Sequence, residues 1–237
     1  MTEDFAPAVG CASEKGPNRP RNADAHAHQT HKDHLAAVVV DGTGSTPEIA
    51  ELAQQAATTA ALTAAARTPL EGIVMAAQLG GEPDFCATPP SGAIVVAKAW
   101  SRRGWVIAWA GDCAAYGIGG SGRVARLTTP HTEGQRMRDR GEPEEAARKY
   151  DNVIYNSIFR SVHEGIPVVE TAAPHVLLAS DGLRLSEDEI AEIWGQHQTD
   201  LTTCAEQLLK AARECSQDDI TVLIAEHPYP TTRTGRG

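Results

Sequence analysis

Short apolar runs rich in Val, Ile and Trp recur along the chain, each bounded by Gly, Asp or Pro, and this pattern predicts β-strands. The predicted strands are Ala8–Ser13, Ala25–Gln29, Leu35–Val40, Ala93–Trp100, Trp105–Ala110, Ala114–Ile118, Val124–Thr128, His175–Ala179 and Ile220–Ala225. Gly104 and the Gly119-Gly120 pair indicate tight turns within a run of neighbouring antiparallel strands.

Helical signals lie between these blocks of strands. Thr46 is a suitable N-cap for a helix with Pro47 at its first position, and Ser186 and Glu189 have the spacing of a capping box. The predicted helices extend from Thr46 through Arg67, over Pro69–Leu79, Thr132–Arg140 and Glu144–Lys149, from Ser186 through Trp194, and over Asp200–Cys215. Because the helices come in pairs and do not alternate with strands, we predict two antiparallel sheets with helices packed outside them.

Composition and charge narrow the classes of function. The chain has 237 residues, and we expect a single domain. Its formal net charge is −10 and it lacks a long run of Lys or Arg, so a nucleic-acid partner is not expected. We expect a monomer.

The cysteines and the N-terminus bear on the compartment. The number of cysteines is odd, at five, and no Cys-x-x-Cys occurs, which favours reduced thiols in a cytosol. The acidic start of the chain lacks the layout of a signal peptide, and no apolar stretch approaches the length of a membrane span. We therefore expect a cytoplasmic protein without a membrane partner.

Acidic residues follow the ends of several predicted strands and lie beside glycine. The strands that contain Val38–Val40, Ile107–Ala110 and Val176–Ser180 end in Asp41-Gly42, Gly111-Asp112 and Asp181-Gly182. Asp218 stands just before the strand Ile220–Ala225. If the strands beside Asp181 and Asp218 are antiparallel neighbours, both acids lie at one end of a sheet, where Asp41 and Asp112 can join them.

Such a cluster of carboxylates predicts a metal centre. Negative charges in a partly buried cleft repel one another, and a divalent cation relieves that repulsion. Oxygen ligands suit Mg²⁺ or Mn²⁺. A single Asp-Gly after a strand is most often a turn, but three such strand ends together with Asp218 favour the metal centre.

The residues around these acids resemble the motifs of the metal-dependent serine/threonine protein phosphatases of the PPM type, in family order from about Gly10 to Glu226. The segment Arg19–Ala25 is similar to an opening Arg followed by Asn-Glu-Asp-Ala. Asp41–Ser45 is similar to the Asp-Gly-x-Gly-Gly motif, and Ser91–Ala93 occupies the place of a small-residue turn. Ala110–Tyr116 is similar to the Gly-Asp-Ser-Arg-Ala-Tyr motif, and Leu127–His131 to Leu-Thr-x-Asp-His. Ser180–Leu183 and Asp218–Thr221 are similar to Ser-Asp-Gly-Leu and Asp-Asn-Ile-Thr, respectively.

The resemblance implies an α+β fold, a four-layer αββα sandwich of two central antiparallel sheets flanked by helices. The domain would cover residues 1–226, and a disordered tail would cover 227–237. The implied activity is hydrolysis of phosphoserine and phosphothreonine monoesters in a phosphorylated protein by a metal-activated water. The implied cofactors are two Mn²⁺ or Mg²⁺ ions, with a weak third.

The resemblance also implies a role for each site residue. Asp41 would bridge two metals with the Gly42 carbonyl as a further ligand, and Asp181 and Asp218 would complete one metal. Asp112 would belong to the third site, and Asp24 is retained in the metal set. Arg19 would hold the substrate phosphate, for which a planar guanidinium is suited.

Several positions depart from the family pattern. Ala23 replaces a glutamate that contacts a metal through water, and Leu185 lies where an acid is often found after Ser-Asp-Gly-Leu. Thr43 stands where many eukaryotic members place a histidine. Ala23 and the missing acid after Leu183 favour an alternative function, a phosphoprotein-binding regulatory module of the same fold with weak or no catalysis.

Two further alternatives are less well supported. An amidohydrolase with an N-terminal nucleophile would need Thr2 as its first residue, and the surrounding sequence is acidic and not strand-like. A zinc site could form from His26, His28, His31 and His34, although an exposed hairpin explains these histidines more simply.

Overall fold

A computed structural model describes residues 8–80, 91–100 and 104–229, and within them the chain forms two five-stranded antiparallel sheets. Sheet one consists, in spatial order, of β1 (Val9–Glu14), β10 (Ile220–Glu226), β9 (His175–Ala179), β6 (Ala114–Ile118) and β7 (Val124–Arg126). Sheet two consists of β2 (Asp24–His31), β3 (His34–Gly42), β4 (Gly92–Ala99), β5 (Trp105–Ala110) and β8 (Val168–Thr171).

The helices pack on the outer faces of the two sheets or connect them. They are α1 (Pro47–Ala66), α2 (Pro69–Ala77), α3 (Glu133–Asp139), α4 (Glu144–Ala147), α5 (Ser161–Glu164), α6 (Glu187–His197) and α7 (Leu201–Arg213). The predicted caps are present, since the Thr46 side chain accepts a hydrogen bond from Ile49 N and Ser186 forms a capping box with Glu189.

Strand β3 shows how the layers are built. Its residues Ala36, Val38 and Val40 pack with α1 and α2, whereas Leu35, Ala37 and Val39 face sheet one. The alternation places an apolar residue on both faces of a fully buried strand. On the far side, sheet one packs against α6 and α7 through residues that include Leu177 and Leu208.

The layer order is therefore helices, sheet two, sheet one, helices. This arrangement confirms the predicted α+β fold with two central antiparallel sheets and flanking helices. Each predicted strand and helix is present, with ends that differ by a few residues. Two short elements were not predicted, the edge strand β8 and the single-turn helix α5.

His227, the first residue after the predicted domain, is buried; its Nε2 lies 3.0 Å from Gly104 O, and its ring packs edge-on against Trp105. The domain over 1–226 and the disordered tail over 227–237 remain predictions, and residues 230–237 lie outside the described residues. In the described part of the chain, none of the helices combines the length and the apolarity needed to cross a membrane.

The chain passes from sheet two to sheet one between β5 and β6. Gly111 stands at this crossing with φ +97°, a left-handed conformation that favours glycine. A Cβ at this position would lie 2.3 Å from the Cβ of Ala93. The close packing holds the next residue, Asp112, between the two sheets.

Candidate metal centre

Strands β2 and β3 place two acids opposite each other. Asp24 pairs with Asp41 in the antiparallel register, and side chains at such opposed positions have Cβ atoms about 5 Å apart. Gly42, the predicted carbonyl ligand, is buried and packs tightly, because a Cβ there would lie 2.6 Å from Ala23 O. The predicted pair of metal ligands thus lies at one edge of sheet two.

Strands β9 and β10 bring Asp181 and Asp218 to the same region. The two strands are adjacent and antiparallel, which is the condition that the sequence analysis set for the two acids to meet, so the end of β9 lies beside the start of β10. Gly182 allows this approach, since a Cβ there would lie 2.0 Å from Asp219 O. Ser180 N also donates to Thr221 O at 3.1 Å, which ties the two strand ends together.

Asp112 completes the group from the crossing between the sheets. His131 fixes the position of this crossing. The ring Nδ1 of His131 accepts a hydrogen bond from Gly111 N at 3.2 Å, and its backbone N–H donates to Gly111 O at 2.9 Å. The His131 ring stacks on Trp109. Burial lowers the pKa of His131, with a smaller effect from the charge of Arg136. A neutral imidazole can accept the Gly111 hydrogen bond, so this role is compatible with neutral pH.

Asp41 lies at the electrostatic centre of these acids. Burial raises its pKa well above the ordinary value, and the charges of Asp24, Asp181, Asp112 and Asp218 raise it further, in that order. The acids delivered by separate strand ends therefore lie close enough to oppose one another's ionisation.

The neighbouring acids show the same effect. Burial is the largest cause that raises the pKa of Asp24 and of Asp112, in each case to about 7. For Asp181, burial and then the charge of Asp218 raise the pKa, against the guanidinium of Arg184. Ionising the whole group together therefore costs free energy that bound cations would offset.

Two buried carboxylate oxygens have no hydrogen-bond partner, Asp24 Oδ2 and Asp112 Oδ1. Buried polar atoms are ordinarily paired, and unpaired carboxylate oxygens within a group of acids are the kind of ligand that a divalent cation takes. The donor set, made of carboxylates and backbone carbonyls, fits Mg²⁺ or Mn²⁺. Among the described residues, however, no three His, Cys, Asp or Glu side chains already surround a common point.

Arg19 lies beside this group. Its Nη2 donates to Asp218 Oδ1 at 2.5 Å, and the two side chains are 34% and 30% exposed. Arg19 is therefore accessible to a ligand, and its other N–H groups remain available to an anion. The structure thus brings the predicted phosphate-binding residue and a predicted metal ligand into direct contact.

Asp219 supports the Arg19 loop, a role that the sequence analysis missed. Its two carboxylate oxygens accept from Gly16 N at 2.7 Å and from Ala23 N at 2.8 Å, the two ends of the segment that carries Arg19. Arg213 adds a second support, because it donates to Asp218 O at 2.7 Å and to Glu14 Oε1 at 3.0 Å. The only sequence signal was an acid in place of the asparagine of the resembled motif.

An open cleft of about 970 Å³ extends from the acids along the surface. Asp112 and Asp181 line the cleft together with residues of the segment 132–152. Its position beside the acids makes the cleft the natural approach for a substrate.

The remaining candidate residues lie elsewhere or are buried. The four histidines belong to the β2–β3 hairpin, whose turn residue Lys32 has φ +52°, and His28 and His31 are exposed. No zinc ligand group forms from the side chains that the structure describes. The cysteines Cys11, Cys113, Cys204 and Cys215 are free thiols, and Cys86 lies outside the described residues.

The comparisons with known proteins concern the fold. No family model matches the chain, and no curated protein matches it. Solved structures do match. A serine/threonine phosphatase of S. agalactiae aligns with a TM-score of 0.77 and 19% identity, over 93% of this chain and 99% of that one.

Two other matches carry ligands. The PPM Ser-Thr phosphatase MsPP from Mycobacterium smegmatis, in complex with cacodylate, aligns with a TM-score of 0.71 and 20% identity over 92% of this chain and 97% of that one. The catalytic domain of the phosphatase PstP, in complex with two manganese ions, aligns with a TM-score of 0.66 and 23% identity over 93% and 97%. The chain therefore has the fold of the bacterial PPM-type serine/threonine phosphatases, which confirms in structure the resemblance of its motifs.

Proposed function

We propose that this protein is a metal-dependent phosphatase that hydrolyses phosphoserine and phosphothreonine monoesters in a phosphorylated protein. The observation that carries the proposal is the convergence on Asp41 of acids from separate strand ends, all of which raise its pKa. A folded protein keeps such repulsion mainly where a ligand relieves it. The fold shared with PPM-type phosphatases supports the same conclusion.

The proposed metal ligands are the acids of this group. Asp41 and the Gly42 carbonyl would hold two Mn²⁺ or Mg²⁺ ions together with Asp24, Asp181 and Asp218, and Asp112 would serve a weaker third ion. When bound, such ions polarise the phosphoryl oxygens and lower the pKa of an attacking water. A neighbour of the same fold binds two manganese ions.

Arg19 is proposed to bind the substrate phosphate. Its guanidinium already contacts a carboxylate oxygen of Asp218, and a phosphate oxygen offers the same kind of acceptor. Bound there, the positive charge would oppose the negative charge that builds on the phosphoryl oxygens during transfer. Asp219, which fixes both ends of the Arg19 segment, keeps the guanidinium beside the acids.

Attack by water requires no covalent nucleophile, and the buried residues are consistent with this scheme. The thiol nearest to the acids, Cys113, is fully buried, and burial followed by the charges of Asp41 and Asp112 raises its pKa well above the ordinary value. A thiol in such surroundings stays protonated and is a poor nucleophile. The proposed setting is the cytoplasm, with the protein acting as a monomer.

The test is hydrolysis of p-nitrophenyl phosphate and of a phosphothreonine peptide by the purified chain. We expect phosphate release that requires added Mn²⁺ or Mg²⁺, stops with a chelator, and falls by orders of magnitude in Asp181→Asn. Calorimetry with Mn²⁺ alone measures ion uptake independently of turnover. Metal-independent hydrolysis, or full activity in Asp181→Asn, would contradict the proposal.

A phosphoprotein-binding regulatory module remains the second candidate. Two observations favour it: Ala23 is fully buried where the resembled motif has glutamate, and Arg19 is paired with Asp218. Such a module would bind a phosphothreonine peptide in the presence of Mn²⁺ without releasing phosphate. Binding titrations run beside the hydrolysis assay separate the two functions.

A further inference from the structure

The cleft beside the metal centre carries two arginines with no partner. Arg126 and Arg184 both line it and are exposed. Within the residues that the structure describes, neither guanidinium has a hydrogen-bond acceptor or a carboxylate within ion-pair distance. Unpaired cations that face one cleft leave it with capacity for an anion.

Another arginine of the same cleft serves as an internal comparison. Arg138 is saturated, because its Nε and Nη2 donate to Glu144 at 2.8 and 2.9 Å while Nη1 and Nη2 donate to Asp151 at 2.6 and 2.8 Å. These contacts hold α3 and α4 against the segment that follows them. Arg138 is thus structural, whereas Arg126 and Arg184 make no comparable contacts.

Both unpaired arginines lie near the acids of the metal centre. Arg126 lines the same cleft as Asp112, and Arg184 follows Asp181 by three residues on the turn after β9 and lines the cleft with it. Each guanidinium therefore lies within electrostatic reach of the residues proposed to act on the phosphoester.

The backbone around these arginines is held in place. Arg126 N donates to Glu187 Oε1 at 2.9 Å at the start of α6, and Arg184 N donates to Gly182 O at 3.0 Å directly after the Asp181 turn. Thr129 and Leu183 also line the cleft. Arginines carried on a held backbone beside such a cleft complement a peptide that carries negative charge.

We propose that Arg126 and Arg184 form an anion-binding subsite beside the metal centre, which selects phosphopeptides that carry a second negative group near the phosphorylated residue. The inference rests on the proposed function, since it names the substrate class of the same centre. The second group is a carboxylate or another phosphate, because a guanidinium binds both through the same paired hydrogen bonds.

The test uses three peptides with a central phosphothreonine. They differ only at the second and third positions before and after it, and these positions are all Glu in one peptide, all Gln in another and all phosphoserine in the third. Initial rates of phosphate release from the central residue with Mn²⁺ give kcat/KM for each peptide. We expect about a fivefold preference for the Glu peptide over the Gln peptide, the effect of an exposed ion pair worth about 1 kcal/mol. The preference should shrink in 0.5 M salt because the site is open to solvent.

Substitutions assign the preference to the two arginines. Arg126→Gln and Arg184→Gln should each reduce it, and the double variant should remove it. Arg67→Gln is the matched control, since it removes the same charge from an exposed arginine at the far end of α1. Anisotropy of labelled phosphonate analogues of the same peptides measures affinity without turnover.

The outcomes separate this inference from the proposed function. If no peptide is hydrolysed, the proposed function fails, and the anisotropy ratio between the Glu and Gln analogues still decides the subsite. Equal affinities and rates for Glu, Gln and phosphoserine peptides would overturn the inference, as would a preference that survives the double substitution. A preference for phosphoserine alone would assign the second group as phosphate, and a preference for both would assign any anion.

Discussion

The core between the two sheets and the group of acids at their edge lie on the same strands and obey opposite rules. Val39, Leu178 and Leu223 are fully buried in the middle of β3, β9 and β10, where apolar contacts favour folding. A few residues away, at the strand ends, burial and the charges of the neighbouring acids raise the pKa of Asp41. The middles of the strands stabilise the fold. The proposed chemistry uses the strand ends, where burying several acids close together lowers the stability of the fold.

The largest expected effect is on phosphatase activity and concerns Asp41, which belongs to the group of acids. Asp41→Asn should lower phosphatase activity by about a thousandfold, roughly 4 kcal/mol of transition-state stabilisation. The same substitution should raise the melting temperature of the metal-free protein by about 2–4 °C, since it removes a carboxylate whose charge burial and four acids oppose. Asp33→Asn, on the exposed β2–β3 turn, is the control. If Asp41→Asn lowered the melting temperature, the group of acids would favour folding as the core does, and the contrast between the two regions would be wrong.

Leu178→Ala should show the reverse pattern. Removing this fully buried side chain from the core between the sheets should lower the free energy of unfolding by about 3 kcal/mol. Activity per folded molecule should remain close to wild type when measured well below the melting temperature. Urea unfolding and an active-fraction assay test the two statements, and a selective loss of turnover in fully folded Leu178→Ala would show that the regions are not separable.

Metal binding should remove the cost at the strand ends. Mn²⁺ at about one hundred times its dissociation constant should stabilise the folded chain by about 2.7 kcal/mol, which corresponds to roughly 5–10 °C in a domain of this size. Thermal unfolding with Mn²⁺ and with a chelator measures this shift. The shift should be much smaller in Asp41→Asn, and an equal shift in that variant would place the ion elsewhere.

The smallest expected effect concerns Asp219, which lies between the two regions. Asp219→Ala leaves Gly16 N and Ala23 N without their acceptor and should cost about 2 kcal/mol of stability. It should also lower kcat/KM, chiefly through KM, as the Arg19 segment loosens. Asp219→Asn keeps one acceptor oxygen, so its effect should be smaller; equal effects of the two variants would indicate that only the negative charge matters.

Much of the fold could be predicted because most strands and helices carry local signals. The bounds predicted for Trp105–Ala110, Ala114–Ile118 and His175–Ala179 are those of β5, β6 and β9. Strand β8 escaped notice since it is a short edge strand after Pro167 whose first residue, Val168, is exposed. Which strands share a sheet was also beyond local pattern, because β5 and β6 follow each other in the chain and belong to different sheets.

The candidate site likewise has residues that could be predicted from the sequence and residues that could not. Acids that follow apolar runs are visible in the sequence, and the antiparallel pairing of β9 and β10 confirms the geometry predicted for Asp181 and Asp218. His131 and Asp219 act on residues far along the chain; Asp219, for example, holds Gly16. Contacts of this range have no periodic signature, and only the three-dimensional arrangement shows them.

Strand β10 is the last strand described in the chain and lies between β1 and β9. A nascent polypeptide that has not yet released residues 218–226 from the ribosome therefore holds β1 without a neighbour and lacks Asp218 beside Arg19. Prematurely terminated translation products would share this defect. The order of synthesis thus delays the proposed phosphatase activity until β10 has completed sheet one.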